Sequence, residues 1–475
     1  VSGSGKSEAM KAAIQYLLFA ENFATGATAS EKVAELTKKA KEAARAQTDS
    51  SELGGLGGTT ESYQCIGTAT HPFLMDIPVE GVSASSPAGR LGTKTLAGLM
   101  IFDYFFSCPT DHTDRSSRCI KAVKFVYSSQ PLETSGEGKL QSVEMAALLV
   151  DPNRISTGAK KGSADVFLIF PMMMAGLSDA ELSSFGITST IRTAYIAGVA
   201  GKRTEAELAS DFRTFRKQLL LAGCDEVRFS EAMQSLACIC HLQSVSIIGS
   251  DSAQVSGSSL VSMTAVDKVM GLPKGLLSDY VLKNDTGRLG IIDHKPADSR
   301  MMLDCLCQSI YYRVVHWLSE LTCYKSIVAS HNSATPIPAD MPLSAGSYHV
   351  DFLDIMGWEN VDLERCGNLY TLCKNYCNER FQYQFLQLAF NNVVQAYLDD
   401  GVMLPNYTSP ICPEVDIYTD LFDKLGSGVV SIMEDVTKSM RPEDKSILDK
   451  LLASHSKTKM VRMGGQKALK RTDFT

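Results

Sequence analysis

An α/β fold is predicted by three observations. The chain opens on Val1-Ser2-Gly3-Ser4-Gly5-Lys6-Ser7-Glu8, a Gly-containing turn that runs directly into a Gly- and Pro-free stretch from Glu8 to Phe19. A short apolar strand pattern, Tyr348 to Met356, carries Asp354 near its end and is followed by Gly357 and Glu359. Between and beyond these two points lie long segments with apolar residues at helical spacing.

The first of these has a chemical reading. Gly5-Lys6-Ser7 is the tail of the G-x-x-x-x-G-K-[ST] phosphate-binding loop, whose first glycine is expected one residue before Val1. Glycines let backbone N–H groups approach a polyphosphate, the lysine reaches the β and γ oxygens, and a serine hydroxyl can ligate Mg²⁺. The following Ala-, Leu- and Met-rich stretch is a good helix former, and its N-terminus adds orphan donors and dipole to the same site. Gly3, Ser4, Gly5, Lys6, Ser7 and Glu8 are therefore candidate nucleotide-binding residues, with Ser7 also a candidate metal ligand.

The bulk composition limits the alternatives. A chain of 475 residues exceeds one ordinary core, so several subdomains are expected. A net charge of -7 argues against nucleic acid or an anionic membrane as partner. The longest apolar run, Val166 to Leu177, contains Pro171 and is too short to span a bilayer. Thirteen cysteines, an odd number without framework spacing, fit free thiols in a reducing cytosol. Cys238-Ile239-Cys240-His241 and Cys305-Leu306-Cys307 fall in helix-like stretches where i and i+2 diverge, which favours small apolar thiols over zinc ligands.

Along the chain, residues 20–62 read as one long surface insertion with a charged helical stretch, Ser30 to Gln47, and a Gly-rich segment. Residues 78–95 read as a Ser/Pro/Gly-rich loop carrying Arg90. Leu96 to Phe106 and Ile120 to Tyr127 are strand candidates. From Phe167 to about Leu321 the chain is mainly helical, with helices over Asp211–Leu221, Phe229–Leu242, Leu260–Val269 and Ser299–Leu321, and loops at 243–258 and 284–298. A long amphipathic helix is expected from Gly367 to Asp399, then helices over Tyr418–Glu434 and Pro442–Ser454 and a basic tail.

A phosphate loop gains weight when a second site of matching chemistry stands at a strand end. In phosphate-loop enzymes a strand-end aspartate holds the Mg²⁺ water shell, and a glycine just after it can offer its N–H to the γ-phosphate. Asp354-Ile355-Met356-Gly357-Trp358-Glu359 resembles the D-I-x-G-F-E second switch of the myosin motor domain. Leu369-Tyr370-Thr371-Leu372-Cys373-Lys374-Asn375-Tyr376-Cys377-Asn378-Glu379-Arg380-Phe381-Gln382 is similar to the relay-helix pattern F-E-Q-L-C-I-N-Y-T-N-E-K-L-Q. Ser2 to Glu8 resembles S-G-A-G-K-T-E, Phe212 to Leu242 parallels the segment ending in I-L-H-L, and Ser454-His455-Ser456-Lys457 parallels Q-H-S-K. These matches occur in family order over nearly the whole chain.

The resemblance implies a P-loop NTPase core, a mixed twisted sheet with large helical insertions, in a motor head truncated at both ends. Its expected parts are residues 1–106 with phosphate loop and first switch, 107–340 as a helical upper subdomain, and 341–475 with second switch, relay helix and the start of the actin-binding subdomain. Aligned on the first-switch pattern N-x-N-S-S-R-F-G-K, Ser85-Ser86-Pro87-Ala88-Gly89-Arg90-Leu91-Gly92-Thr93 keeps Arg90 and Gly92 but has Ala88 and Gly89 for the two serines. On that alignment Arg90, Gly357 and Glu359 are the catalytic set, Arg90 pairing with Glu359. Ser85 joins the nucleotide contacts, and Ser7 and Asp354 hold Mg²⁺. ATP binding is expected, with hydrolysis slowed by the degenerate first switch. Actin filaments are the implied partner, light chains follow only from a neck, and the implied location is the cytoplasm and cytoskeleton. The rival readings are a non-catalytic actin- or nucleotide-binding module, favoured by Ala88-Gly89, and another P-loop NTPase such as a kinesin-type motor.

Overall fold

The computed structural model describes residues 9–11, 13–14, 87–109, 115–128, 139–156, 166–285, 287, 290–325, 347–358, 369–403, 421–439 and 444–455. The phosphate loop, Ser85, Glu359 and the 30–47 stretch lie outside the described residues. The chain divides into two compact units, one from Gly3 to Ile355 and one from Met356 to Thr475 that also takes Val1–Ser2.

In the first unit, residues 9–11 and 13–14 are helical, in line with the helix expected after the phosphate loop. Helix α1 (Pro87–Phe106) follows. It corrects two expectations, since both the end of the 78–95 loop and the Leu96–Phe106 strand candidate belong to this helix. The reason is legible in retrospect: Pro87 suits a first helical turn, and the apolar run is buried on more than one side, where periodicity cannot separate strand from helix. Ile101, Phe102, Phe105 and Phe106 are all fully buried.

The chain then makes a short β1 (Ser107–Cys108), a short β2 (Ser116–Ser117), β3 (Ile120–Ser128) and β4 (Lys139–Leu148). β1 pairs with β2, and β3 is the centre of a four-stranded antiparallel sheet that later strands complete. The strand expected at 120–127 is present, and its burial alternates: Lys121, Val123 and Phe125 are buried while Ala122 and Lys124 are only partly covered. A register shift between Val126 and Tyr127 marks a bulge against β4.

Helices dominate the described residues between 153 and 322, beginning with α2 (Asn153–Ser156), α3 (Ile169–Gly176), α4 (Asp179–Ser184), α5 (Ser189–Val199), α6 (Glu205–Leu221) and α7 (Glu226–Ser244). Pro171 is tolerated because it sits in the first turn of α3, where no backbone partner awaits its missing N–H. Ser178 with Glu181 and Thr204 with Glu207 form complete capping boxes at the starts of α4 and α6. Thr188 and Asp225 cap α5 and α7 with their side chains.

The 243–258 and 284–298 loops contain small hairpins, β5 (Ile247–Ile248) with β6 (Gln254–Val255). Helices α8 (Leu260–Val269) and α9 (Leu276–Leu282) lead to the second hairpin, β7 (Lys283–Asp285) with β8 (Ile291–Asp293). Helix α10 (Pro296–Thr322) runs 27 residues through the unit. Its Tyr311 stacks on Phe167 at 5.4 Å and donates its phenol to the Phe105 carbonyl at 2.5 Å, which ties α10 to the end of α1. β9 (Tyr324–Lys325) and β10 (Ser347–Asp354) finish the sheet in the order β10-β3-β4-β9.

The second unit contains α11 (Leu369–Leu386), a π-helical turn at Gln387–Asn391, and α12 (Asn392–Asp399), together the single long helix the sequence predicts. Tyr376 stacks on Phe422 at 4.2 Å and donates to Asp423, so this helix is pinned on one face. Leu372, Phe381, Phe385 and Leu388 are exposed. The Tyr418–Glu434 helix is broken around Gly426 and Gly428 and continues as α13 (Val429–Thr437). Then α14 (Asp444–His455) ends with His455 bonded to the Ser427 carbonyl at 2.6 Å.

One close approach organises the helical layer. A Cβ at Gly176, the last residue of α3, would lie 2.4 Å from the Phe212 ring on α6. Phe212 is buried and cannot retreat. Gly176→Ala is expected to destabilise the first unit by about 1–3 kcal/mol through overpacking, measured by urea unfolding with the m-value unchanged.

Candidate functional site

The site is built on the pairing of β3 with β10. The two strands run antiparallel with Asp354 directly opposite Lys121. Directly opposed residues share a face. On β10 that inward face is Val350, Phe352 and Asp354, and on β3 it is Lys121, Val123 and Phe125, so at one register the apolar ladder is replaced by a pair of opposite charges. Lys121 Nζ stands 3.1 Å from Asp354 Oδ2, with both side chains almost wholly buried.

Two further charges close the network. Lys121 also bonds Asp103 of α1, and Asp103 pairs with Lys11 of the helix after the phosphate loop. The result is a buried string Lys11–Asp103–Lys121–Asp354, two cations and two anions, joining four segments that are distant in sequence. Burial alone would raise the Asp103 carboxyl. The attraction of Lys11 and Lys121 outweighs it and holds the group far below the usual carboxylate range. Burial alone would lower Lys121, but Asp103 and Asp354 more than compensate and push the ammonium up.

Just ahead of Lys121 the chain passes through Ser116, Ser117 and Arg118. Ser117 pairs with Ser107 and Ser116 with Cys108, which brings the segment against the end of α1. The Arg118 N–H donates to the Phe106 carbonyl at 2.7 Å, and its carbonyl accepts from the Asp151 N–H at 3.0 Å. Its side chain is buried, with Nε donating to Cys108 Sγ at 3.2 Å. The Ser117 hydroxyl donates to the Cys119 carbonyl at 3.4 Å.

This arrangement bears on where the first-switch pattern lies. Residues 87–93, with Arg90 and Gly92, are the opening turns of α1 and not an extended segment leading into a strand. The S-S-R triplet is instead intact as Ser116-Ser117-Arg118, and a lysine stands three residues later, as in the pattern. The alignment to Arg90 follows an isolated Arg-x-Gly, whereas the triplet sits just before the strand expected at 120–127. Lys11, Asp103, Ser116, Ser117, Arg118 and Lys121 are candidate residues that the sequence reading did not name. Of the expected residues, Asp354 is at the inner end of β10 and Gly357 lies in the irregular segment after it. Gly3, Ser4, Gly5, Lys6, Ser7, Glu8, Ser85 and Glu359 fall outside the described residues.

The donor chemistry suits a magnesium ion that keeps part of its water. Mg²⁺ takes hard oxygen ligands, commonly one or two carboxylates plus substrate phosphates and water. Asp354 offers a carboxylate and Ser117 a hydroxyl. No cluster of three His, Cys, Asp or Glu side chains able to hold a metal occurs among the described residues, so no all-protein cage competes with that reading there. Cys238 and Cys240 are buried and Cys307 is buried beside exposed Cys305. Burial pushes the Cys238 and Cys307 thiols up to about 12.

Comparison with known families decides the kinship. The profile of the myosin head (motor domain) matches residues 1–475. The chain belongs to the myosin head family. Unconventional myosin-Id of Bos taurus is 24% identical over 374 residues, covering 76% of this chain and 34% of that protein. Unconventional myosin IC of Drosophila melanogaster is 22% identical over 376 residues, covering 76% and 33%. Myosin-M heavy chain of Dictyostelium discoideum is 22% identical over 382 residues, covering 74% and 21%. The match thus spans about a third or less of these relatives. The family carries a P-loop NTPase-like fold, into which the antiparallel β10-β3-β4-β9 sheet fits. Among the described residues no helix is long and apolar enough to cross a membrane.

The network has a pH signature. With its folded-state value depressed, Asp103 contributes stability that is fully present above the ordinary carboxylate value of about 4. That contribution is lost as pH falls toward the folded-state value. Asp103→Asn is expected to lower stability at pH 7 and to flatten its decline between about pH 4 and pH 2, read from unfolding midpoints across that range. Lys121→Met removes the only cation shared by two carboxylates in the string and is expected to cost about 3–5 kcal/mol in the same unfolding measurement.

Proposed function

We propose that this chain forms the nucleotide-handling part of a myosin-type motor, binding ATP with Mg²⁺ and coupling its hydrolysis to actin filaments. The observation that carries the reading is the register of β3 on β10. It sets Asp354 opposite Lys121, three residues beyond Ser116-Ser117-Arg118, and in an ion pair with it.

The family roles then carry over residue by residue. Gly3, Ser4, Gly5 and Lys6 cradle the phosphates and Ser7 ligates Mg²⁺. Ser116 contacts the γ-phosphate and the attacking water, and Ser117 supplies the second hydroxyl to the metal. Asp354 orients the metal's water, and Gly357 offers its N–H to the γ-phosphate. Arg118, rather than Arg90, takes the place of the pattern's arginine. Bound Mg²⁺ neutralises charge on the phosphate oxygens. The protein's own contribution is to fix these donors before the reaction, which is where most of the rate of phosphoryl transfer originates.

With both serines present, the argument for slowed hydrolysis from Ala88 and Gly89 falls away, and with it the feature that favoured a non-catalytic module. The departures that remain are Thr113 and Arg115 for the two asparagines of the pattern, and Cys119 and Ile120 for its phenylalanine and glycine. We place the sheet within the mixed twisted sheet of the motor head, with the helices of 153–322 as its upper subdomain. We place the protein in the cytoplasm on the actin cytoskeleton, with light chains recruited only through a neck.

The test is actin-activated phosphate release by the motor. Ser117→Ala is expected to reduce the rate by roughly 10²–10³, the usual loss for one oriented polar contact to the transition state. Arg90→Ala is expected to leave it unchanged. A rate that falls with Arg90→Ala and survives Ser117→Ala returns the first switch to residues 85–93.

A further inference from the structure

The residue before the two serines is an arginine where the family pattern has asparagine, and it points away from them into the helical layer. Arg115 Nη2 lies 2.7 Å from Asp211 Oδ2 on α6. Its guanidinium lies over the Tyr104 ring of α1, 4.9 Å from the centroid. Tyr104 in turn meets Phe215, one turn further along α6, edge to face at 6.2 Å. Arg115 is thus held between α1 and α6, by charge from one and by a ring face from the other.

The receiving carboxylate is itself fixed. Asp211 is buried and also bonds Arg203, which stands just before the capping box of α6. It therefore holds Arg115 from a site already set by the helix and its N-terminal turn. On the other side of the serines the anchors are backbone bonds, from Arg118 to Phe106 and Asp151. Ser116 and Ser117, paired with Cys108 and Ser107 of β1, lie between a side-chain anchor and a backbone anchor. Asparagine at position 115 would carry no charge for Asp211, so this tether belongs to the present sequence and not to the family pattern.

We propose that Arg115 is a positioning residue whose ion pair with Asp211 fastens the first switch to the helical layer, holding Ser116 and Ser117 in place and thereby setting how fast nucleotide leaves. This rests on the reading of Ser116-Ser117-Arg118 as the first switch. Loss of the pair loosens residue 115 and the β1–β2 pairing of Ser116 and Ser117 next to it, without breaking the β3–β10 ladder, because that ladder begins beyond Arg118. Asp211 reaches the serine segment through Arg115 and also holds Arg203.

The experiment uses the full-length motor and the fluorescent analogue mant-ADP, chased with excess ATP. Arg115→Asn and Asp211→Asn are each expected to speed mant-ADP release on the order of tenfold, the scale of one charge-assisted contact. The double variant is expected to add little to either single one. Arg115→Lys, which keeps a point charge without the planar fork, is expected to fall between. In parallel, amide exchange in both single variants is expected to quicken at 115–117 while residues 121–127 stay unchanged. Unchanged release in both single variants overturns the proposal, as does exchange that rises equally along β3. If the wild-type motor binds no mant-ADP, the nucleotide-site reading fails separately. The exchange measurement then decides the tether: a rise confined to 115–117 supports it and no change overturns it.

Discussion

The buried string Lys11–Asp103–Lys121–Asp354 is the constraint on which the first unit depends. Four charges in a nearly dry interior are costly one by one, since each leaves water for a medium that solvates it poorly. They are tolerated here because they alternate in sign and each touches its neighbour. That condition couples folding to the site: the helix after the phosphate loop, α1, β3 and β10 must all be in place for the whole string to form. An ordinary apolar core would have joined the same elements at lower cost in desolvation. What the charges add is direction, because an ion pair accepts far fewer geometries than a contact between methyl groups.

The rest of the unit supports that geometry from outside. Tyr311 of α10 reaches the last turn of α1 through the Phe105 carbonyl, and Phe106 of the same turn receives the Arg118 N–H. The end of α1 is therefore held on one side by the helical layer and on the other by the segment carrying the serines. Gly98, midway along α1, has no room for a side chain against Met145 of β4 and Thr322 of α10. α1 thus acts as the post between sheet and helices, and Asp103 stands on it one turn before the contact with Arg118.

Much of the helical layer was legible in sequence because its signals are local. Capping boxes at Ser178 and Thr204 and the periodicity of 205–269 are set within one or two turns. The strands at 120–128 and 347–354 were legible as short apolar runs for the same reason. α1 was not, since Leu96 to Phe106 is buried on several faces and its apolar run fits either period. The S-S-R triplet at 116–118 was passed over for a related reason: with residues 87–106 read as loop and strand, Arg90 stood where an arginine was wanted. Lys11 and Asp103 could not be found by any local rule. They are ordinary charged residues until the register of β3 on β10 and the placement of α1 bring them together.

The two sides of Ser116 and Ser117 differ in a way that bears on how such a site can change during evolution. Beyond Arg118 the chain is held by main-chain hydrogen bonds, which almost any residue can make and which few substitutions remove. Before Ser116 it is held by the Arg115 side chain, which a single codon can delete or restore. Variation in nucleotide handling is therefore cheapest on the Arg115 side, where it leaves the sheet untouched. On the proposed alignment the departures from the family pattern run the same way: the S-S-R triplet and Lys121 are kept, while the asparagine position held by Arg115, on the side-chain-anchored flank, is replaced. Cys119 and Ile120 replace pattern residues on the backbone-anchored flank, but Cys119 is fully buried and Ile120 opens β3, so both serve packing in a frame that the main chain already fixes.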